Sequence, residues 1–118
     1  MFKVEIELNR DKILKEQLYD YNYVKTTIDE AFKKFGIYGT DINETTAIYK
    51  GTGKNDAFGN YWCVIGAIER ADWILSNLKK LLWYNESSIN TSEHHVDDIL
   101  AEIEHEKQYG NEKIYSYI

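Results

Sequence analysis

Residues 2–8 alternate between apolar and charged side chains, a pattern typical of a strand with one buried and one exposed face. The apolar members are Phe2, Val4, Ile6 and Leu8. Asn9 follows as a candidate N-cap, because its side chain can accept a hydrogen bond from the first turn of a helix. We therefore predict a strand that ends at Leu8 and a helix that begins near Arg10.

Helical periodicity extends over residues 10–35 and stops at Gly36, a residue favoured just past helix C-termini. The apolar positions predicted to face the core are Leu14, Leu18, Tyr21, Val24, Ile28, Ala31, Phe32 and Phe35. The pattern leaves open whether this region is one long helix or two helices with a break around residues 20–22.

Two further strands are predicted over residues 45–50 and 61–68, separated by a loop rich in turn-forming residues. They are expected to form a hairpin. Both faces of the second strand are apolar, which indicates a central position in a sheet.

Helical periodicity returns over residues 69–84, and a third helix is predicted from Glu93 to Lys107. Its expected buried residues are Val96, Ile99, Leu100 and Ile103. Residues 113–118 are β-prone and are predicted to form an edge strand.

The predicted order βαββααβ corresponds to a ferredoxin-like arrangement with one additional helix. The expected class is α+β, with a single-layer antiparallel sheet and helices packed on one face. A length of 118 residues and a hydrophobic content of 43% fit one domain over residues 1–118. Because this fold supports many unrelated functions, it predicts no activity by itself.

We expect a soluble cytoplasmic protein. The N-terminal residues alternate in polarity instead of forming the apolar run of a signal peptide, and 18 consecutive apolar residues occur nowhere. Cys63 is the only cysteine, so an internal disulfide is impossible.

Two segments have a limited similarity to catalytic or phosphate-binding motifs. Gly51-Thr52-Gly53-Lys54 suggests a phosphate loop, but Ile48 and Asn55 stand where that motif requires glycine and serine or threonine. Cys63 is a candidate nucleophile, yet its expected position in a central strand would bury the thiol and suppress its ionisation. A hairpin loop and a packed core thiol are the favoured interpretations.

The histidines offer a candidate metal site. His94 and His95 are adjacent, so on a helix they point about 100° apart and do not converge on one ion. A site would need His94 and Asp98 with Glu102 or His105, all on the outer face of the predicted third helix. We therefore predict no metal and no cofactor.

The negative charge is concentrated in one part of the chain. Eight acids and one base lie between Glu86 and Glu112, so this acid-rich stretch accounts for nearly all of the net charge of −6. An acidic protein is a poor nucleic-acid binder, because phosphates require clustered lysine and arginine. A concentrated negative field can instead steer a basic protein partner towards it.

Aromatic and basic residues recur at helical spacing on the side of the predicted 69–84 helix opposite its leucines. Either this side is buried within the protein or it anchors a partner, since tryptophan and tyrosine dominate binding hot spots. The predicted partner-binding residues are Trp73, Lys80 and Tyr84 with the acids Glu93, Asp97, Asp98, Glu102 and Glu104.

These features favour a non-enzymatic binding protein that docks on a basic protein, such as a nuclease, and inhibits it. Immunity proteins, antitoxins and phage anti-defence inhibitors act in this way, and the similarity is one of surface type only. Two alternatives stay open. One is a small-molecule site or small enzyme near Tyr49, Tyr61, Trp62 and Cys63; the other is a homo-oligomeric module that associates through its C-terminal tyrosines.

Overall fold

The computed structural model describes residues 2–51, 58–86 and 94–103, which combine one five-stranded antiparallel sheet with helices. The predicted α+β class is therefore confirmed. The strands are β1 (Phe2–Leu8), β2 (Ile37–Asp41), β3 (Thr46–Gly51), β4 (Leu78–Glu86) and β5 (His94–Asp98). The helices are α1 (Arg10–Glu16), α2 (Tyr21–Lys33), α3 (Phe58–Arg70) and α4 (Asp72–Leu75), and residues 99–103 are also helical.

The first two elements follow the prediction, but the core position of α1 differs. The Asn9 side chain accepts a hydrogen bond from the Lys12 backbone N–H, and α1 begins at Arg10. Ile13 is buried, whereas Leu14 and Leu18 are exposed over 53% and 70% of their surface. The predicted buried positions in α1 are wrong because α1 ends at Glu16 and α2 begins separately at Tyr21. The buried face of α1 therefore does not continue the helical period of α2.

The question of one helix or two is settled by the backbone around residue 17. Gln17 has a left-handed conformation with φ of 54°, and Asp20 caps α2 by accepting from the Tyr23 N–H. Two helices therefore form, with the break at residues 17–20. In α2, the buried side chains are Val24, Ile28 and Phe32, as predicted.

Residues 61–68 form the middle of α3, so the predicted central strand and its hairpin are wrong. Tyr61, Val64, Ile65 and Ile68 are buried. These four positions have i, i+3, i+4 and i+7 spacing, which places them on one helix face. The apolar run over residues 61–68 is short, and a run of this length fits a buried strand and a buried helix equally well. Its pattern alone therefore did not distinguish the two structures.

The predicted helix over residues 69–84 is also wrong. Within it, only the end of α3, at residues 69–70, and the four residues of α4 are helical, and β4 begins at Leu78. In β4, the buried Leu81 and Trp83 alternate with side chains on the opposite face, which is a strand pattern. Pairing along the whole of β1 stabilises this conformation.

The predicted third helix is replaced by a strand followed by a helical segment. β5 pairs antiparallel with β4, and the Asp98 side chain accepts from the Ala101 N–H at 3.1 Å where residues 99–103 become helical. Ile99 is buried as predicted, but Val96 is 44% exposed. Histidine, valine and aspartate have low helix propensity, so strand pairing prevails at residues 94–98. The edge strand predicted over 113–118 lies outside the described residues.

The strand order is β2-β3-β1-β4-β5, and β2 was not predicted. Only Ile37 is buried among its five residues, so β2 carries little apolar signal. Gly39 lies opposite Tyr49, and a Cβ at Gly39 would come within 2.7 Å of Cε1 of that tyrosine. The close passage of β2 over the ring therefore requires glycine. The observed order along the chain is β1-α1-α2-β2-β3-α3-α4-β4-β5, which differs from the predicted βαββααβ.

The sheet has two different faces. Phe32 of α2 stacks on Tyr49 at 4.2 Å between ring centroids, and Tyr61 of α3 contacts Trp83 edge-on at 5.3 Å. Because Tyr49 and Trp83 both pair with Val4, α2 and α3 pack on the same face. We call the opposite face the open face; the paired registers place on it Tyr38, Thr40, Thr46, Ile48, Lys50, Lys3, Glu5, Glu7, Lys80, Leu82, Tyr84, Val96 and Asp98.

Candidate functional site

The helix layer contains a groove of about 960 Å³, which we call the aromatic groove. Four separate segments line it: α1, the turn that follows α1, the α3–α4 junction with the turn after α4, and residues 99–103. Its apolar lining includes Leu18 and Trp73, together with Leu100 and Ile103 of the segment 99–103.

Three aromatic rings cluster at the groove, which Tyr19 and Trp73 line. Trp73 packs against Tyr19 and Tyr23, at centroid distances of 5.3 Å and 5.7 Å. Tyr19 and Tyr23 are 41% and 61% exposed, and Leu18 beside them is 70% exposed. A cluster of exposed aromatic and aliphatic side chains of this kind is typical of binding surfaces.

Backbone-directed hydrogen bonds hold the groove in shape. Asn77 is 3% exposed, and its side-chain amide donates to the Trp73 carbonyl at 2.7 Å. The Lys12 ammonium donates to the Ser76 carbonyl at 2.5 Å, and the Asn9 N–H donates to the Asn77 carbonyl at 2.8 Å. The start of α1 is therefore tied to the turn after α4, and Trp73 is positioned by that turn.

The groove itself is balanced in charge. Lys12 and Arg70 line it together with Glu16 and Asp72. Leu100 and Ile103 belong to the acid-rich stretch, and Glu102 is exposed on the same helical segment. Of the acids in that stretch, Glu102 is therefore the one that lies on a segment lining the groove, among the described residues.

The predicted partner-binding residues do not form one surface. Trp73 lies at the groove, whereas Lys80 and Tyr84 lie in β4 on the open face. The prediction that these three residues share one helix face is wrong, because the helix ends at Leu75.

The predicted acidic residues are also divided among different positions. Asp97 and Asp98 lie in β5 on opposite faces of the sheet, and the Asp98 carboxylate caps residues 99–103. Glu102 is exposed on the helical segment. Glu93 and Glu104 lie outside the described residues.

A second polar cluster joins β3, α2 and β2. The buried Tyr49 hydroxyl donates to Asp29 at 2.5 Å, and the Lys25 ammonium lies 3.3 Å from Asp29 and 2.9 Å from Asp41. Burial alone would lower the pKa of Lys25, but hydrogen bonding and attraction to the two carboxylates outweigh it and raise that pKa. Burial, followed by the hydrogen bond to Asp29, raises the pKa of Tyr49 far above its ordinary value. A phenol held neutral in this way is not a nucleophile. The hydrogen bond from Tyr49 to Asp29 and the ion pair between Lys25 and Asp41 join α2 to β3 and β2.

The Tyr49 pKa predicts a loss of stability in alkali. An unfolded tyrosine titrates near pH 10, and folded Tyr49 titrates at higher pH, so the unfolded state loses its proton first. The contribution is fully present below pH 10 and declines above it. We expect the free energy of unfolding to fall with a slope approaching about 1.4 kcal/mol per pH unit. Denaturant titrations at several alkaline pH values measure this slope.

Tyr49→Phe removes the titrating hydroxyl and should reduce the alkaline slope. Some slope should persist, because burial also raises the pKa of Tyr21 and of Tyr84. Tyr38→Phe, at a tyrosine that is 51% exposed, is the matched control and should leave the slope in place. An unchanged slope in Tyr49→Phe would contradict the assignment.

The candidate catalytic residues do not assemble a site within the described residues. Cys63 is exposed on α3, so the expectation of a buried thiol is wrong, because the segment is a helix and not a central strand. Tyr49 and Tyr61 are buried, and the cavity beside Tyr49 measures about 10 Å³, roughly the minimum for one water molecule. Thr52–Ala57 and His105 lie outside the described residues.

Tyr19 and Tyr23 were not predicted as site residues. The available signal was the density of tyrosines around Asp20, at a point where the helical pattern was uncertain.

Comparison of the chain with protein-family models, curated proteins and solved structures gives no match. Of the helices within residues 2–51, 58–86 and 94–103, none has the length and apolarity needed to cross a membrane.

Proposed function

We propose that this protein is a non-enzymatic binding protein that acts in the cytoplasm, docks on a basic protein partner and inhibits it. A nuclease or another nucleic-acid enzyme is the kind of partner that fits. Its positively charged cleft would be occupied by carboxylates where phosphates otherwise bind. The aromatic groove is the docking site in this proposal.

One observation carries the proposal: the aromatic cluster of the half-buried Trp73 with Tyr19 and Tyr23 borders a groove that Leu100 and Ile103 of the acid-rich stretch also line. Aromatic anchors in a preformed groove supply binding energy at a low cost in side-chain entropy. Acidic residues beside them supply attraction and selection for a basic partner. Together these are the two components that a charge-selective inhibitor requires.

The experiment has two stages. Affinity-tagged protein is first used to capture partners from extracts of the source cells at low and at moderate salt, which identifies a basic protein released by salt. The dissociation constant and the partner's activity are then measured with purified components. Trp73→Ala should weaken binding by about thirtyfold, the loss typical of a hot-spot residue. Glu102→Lys should weaken binding and reduce its dependence on salt.

Two controls separate local contacts from general effects. Tyr38→Ala removes an exposed aromatic ring from the open face, and Glu30→Lys changes the net charge as Glu102→Lys does but on the exposed surface of α2. Both should bind normally. A captured partner whose affinity is insensitive to Trp73→Ala and to salt would overturn the proposal.

A second candidate function is the binding of a small molecule in the same groove. The volume of about 960 Å³ lies within the range of roughly 300–1,000 Å³ typical of ligand pockets. A ligand that raises the melting temperature of the protein, and no longer does so in Trp73→Ala, would favour this function over a protein partner.

We also infer a ferredoxin-like arrangement for the first four strands and the helices between them. In that fold two β–α–β units interleave, so each pair of strands joined by helices is separated by one strand of the other unit. The order β2-β3-β1-β4 supports this, because β3 lies between β1 and β2, and β1 lies between β3 and β4. In this interpretation β5 extends the sheet beyond β4.

A further inference from the structure

The open face of the sheet carries its charges in rows. Tyr38, Lys50, Lys3 and Tyr84 lie side by side across β2, β3, β1 and β4, and we call them the lysine row. The neighbouring row contains Ile48, Glu5 and Leu82 on β3, β1 and β4, and we call it the glutamate row. The two rows run across the middle of the sheet.

Contacts within one chain tie the two rows together. The Lys3 ammonium lies 4.8 Å from the centroid of the Tyr84 ring, and the Tyr84 hydroxyl donates to Glu5 at 3.4 Å. Lys3 and Lys50 are direct cross-strand partners, and like charges in that position are unfavourable. A carboxylate of a second molecule placed over the lysine row would attract both ammonium groups.

Among the side chains described on the open face, Lys3, Lys50 and Lys80 are offset by Glu5, Glu7 and Asp98, although the chain has a net charge of −6. Two copies of an acidic protein repel each other at long range, so the part of the surface where charges of both signs alternate is where they can approach. The exposed Tyr38 and Val96, at 51% and 44%, add apolar area to this face.

We propose that the open face binds a second copy of the chain in a symmetric, face-to-face dimer. The two-fold axis lies in the interface, runs across the strands and passes between the lysine row and the glutamate row. This operation places the lysine row of each copy over the glutamate row of the other, so Lys3 meets Glu5 of the partner subunit twice. Tyr84 then packs against Leu82 of the partner subunit. Two twisted sheets pack in this aligned way with their strands about 30° apart.

The proposed contact predicts a charge-swap experiment. Sedimentation equilibrium over a micromolar concentration series should show a dimer for the unaltered chain. Lys3→Glu and Glu5→Lys should each weaken the dimer by at least roughly tenfold, because each change creates two like-charge contacts across the axis. An equimolar mixture of the two variants should form a heterodimer, and the double variant should again form a homodimer.

The design separates loss of the interface from loss of folding. Each single variant can dimerise in the mixture only if it is folded, and Lys34→Glu is a control of equal charge change on the exposed surface at the end of α2. For the unaltered chain, carbodiimide cross-linking of mixed isotope-labelled and unlabelled copies should join Lys3 to Glu5 of the partner subunit. This measurement decides the question even if a variant fails to fold.

Three results would overturn the proposal. The first is a protein that stays monomeric throughout the series, which would leave the open face to another partner. The second is a dimer that both single variants preserve. The third is a mixture of folded single variants that does not associate. The aromatic groove lies in the helix layer, so none of these results bears on the proposed function.

Discussion

Replacing Phe32 by alanine is expected to lower the free energy of unfolding by about 3–5 kcal/mol. Phe32 is completely buried in α2 and stacks on Tyr49 of β3 with the ring planes 17° apart. Alanine would leave a cavity between the helix layer and the sheet and would remove one side of the Tyr49 ring from contact. Chemical denaturation followed by tryptophan fluorescence measures the change.

Phe35→Ala is the matched control, because it deletes the same side chain near the same helix end. Phe35 follows α2 and is 38% exposed, so the expected loss is below about 1 kcal/mol. The sequence pattern placed both phenylalanines on one buried stripe. Equal losses for the two variants would contradict the structural assignment and favour a continuous helix through residue 35.

The parts of the fold that could be predicted are those whose local signals agree with each other. In β1, strict alternation coincides with a cap residue immediately after the strand, and in α2 the buried positions Val24, Ile28 and Phe32 follow a helical period over 13 residues. Where several independent local signals favour the same secondary structure, tertiary contacts do not change it.

The second half of the chain was mispredicted because its segments satisfy two patterns. Residues 61–68 are rich in β-branched and aromatic residues, yet their buried members also fit one helix face. Residues 78–84 include leucines and lysines with good helix propensity. They form β4 instead, where their backbone pairs with the edge of β1 that β3 does not occupy. Which pattern prevails depends on sheet pairing, and pairing between distant segments has no local signal.

The candidate site shows the same dependence on long-range contacts. Trp73 was predicted to be a binding residue from its type, and its neighbours were predicted by counting helical turns past Leu75, where the helix ends. The true neighbours, Tyr19 and Tyr23, come from the opposite half of the chain. Residue type can indicate that an aromatic side chain is an anchor, whereas only the tertiary fold shows which other residues surround it.

Tyr61→Phe is expected to lower the free energy of unfolding by about 1–3 kcal/mol, since it removes a hydroxyl that makes two part-buried hydrogen bonds to the backbone. The Tyr61 side chain is completely buried in α3, and its hydroxyl donates to the Phe2 carbonyl at 2.9 Å and accepts from the Gly51 N–H at 2.7 Å. One hydroxyl thus joins α3 to the start of β1 and the end of β3. Loss of this single oxygen removes both hydrogen bonds while the ring still packs against Trp83.

The control separates loss of the hydrogen bonds from any general effect of removing a hydroxyl. Tyr38→Phe makes the same change at a tyrosine that is 51% exposed, and its effect should stay within about 0.5 kcal/mol.

Amide hydrogen exchange gives a second measurement. The Gly51 N–H should exchange faster in Tyr61→Phe, by a larger factor than the global loss of stability explains. If Tyr61 instead lay in a central strand, as its sequence context alone suggested, its hydroxyl would not join these two strand ends. The Gly51 amide would then keep its protection.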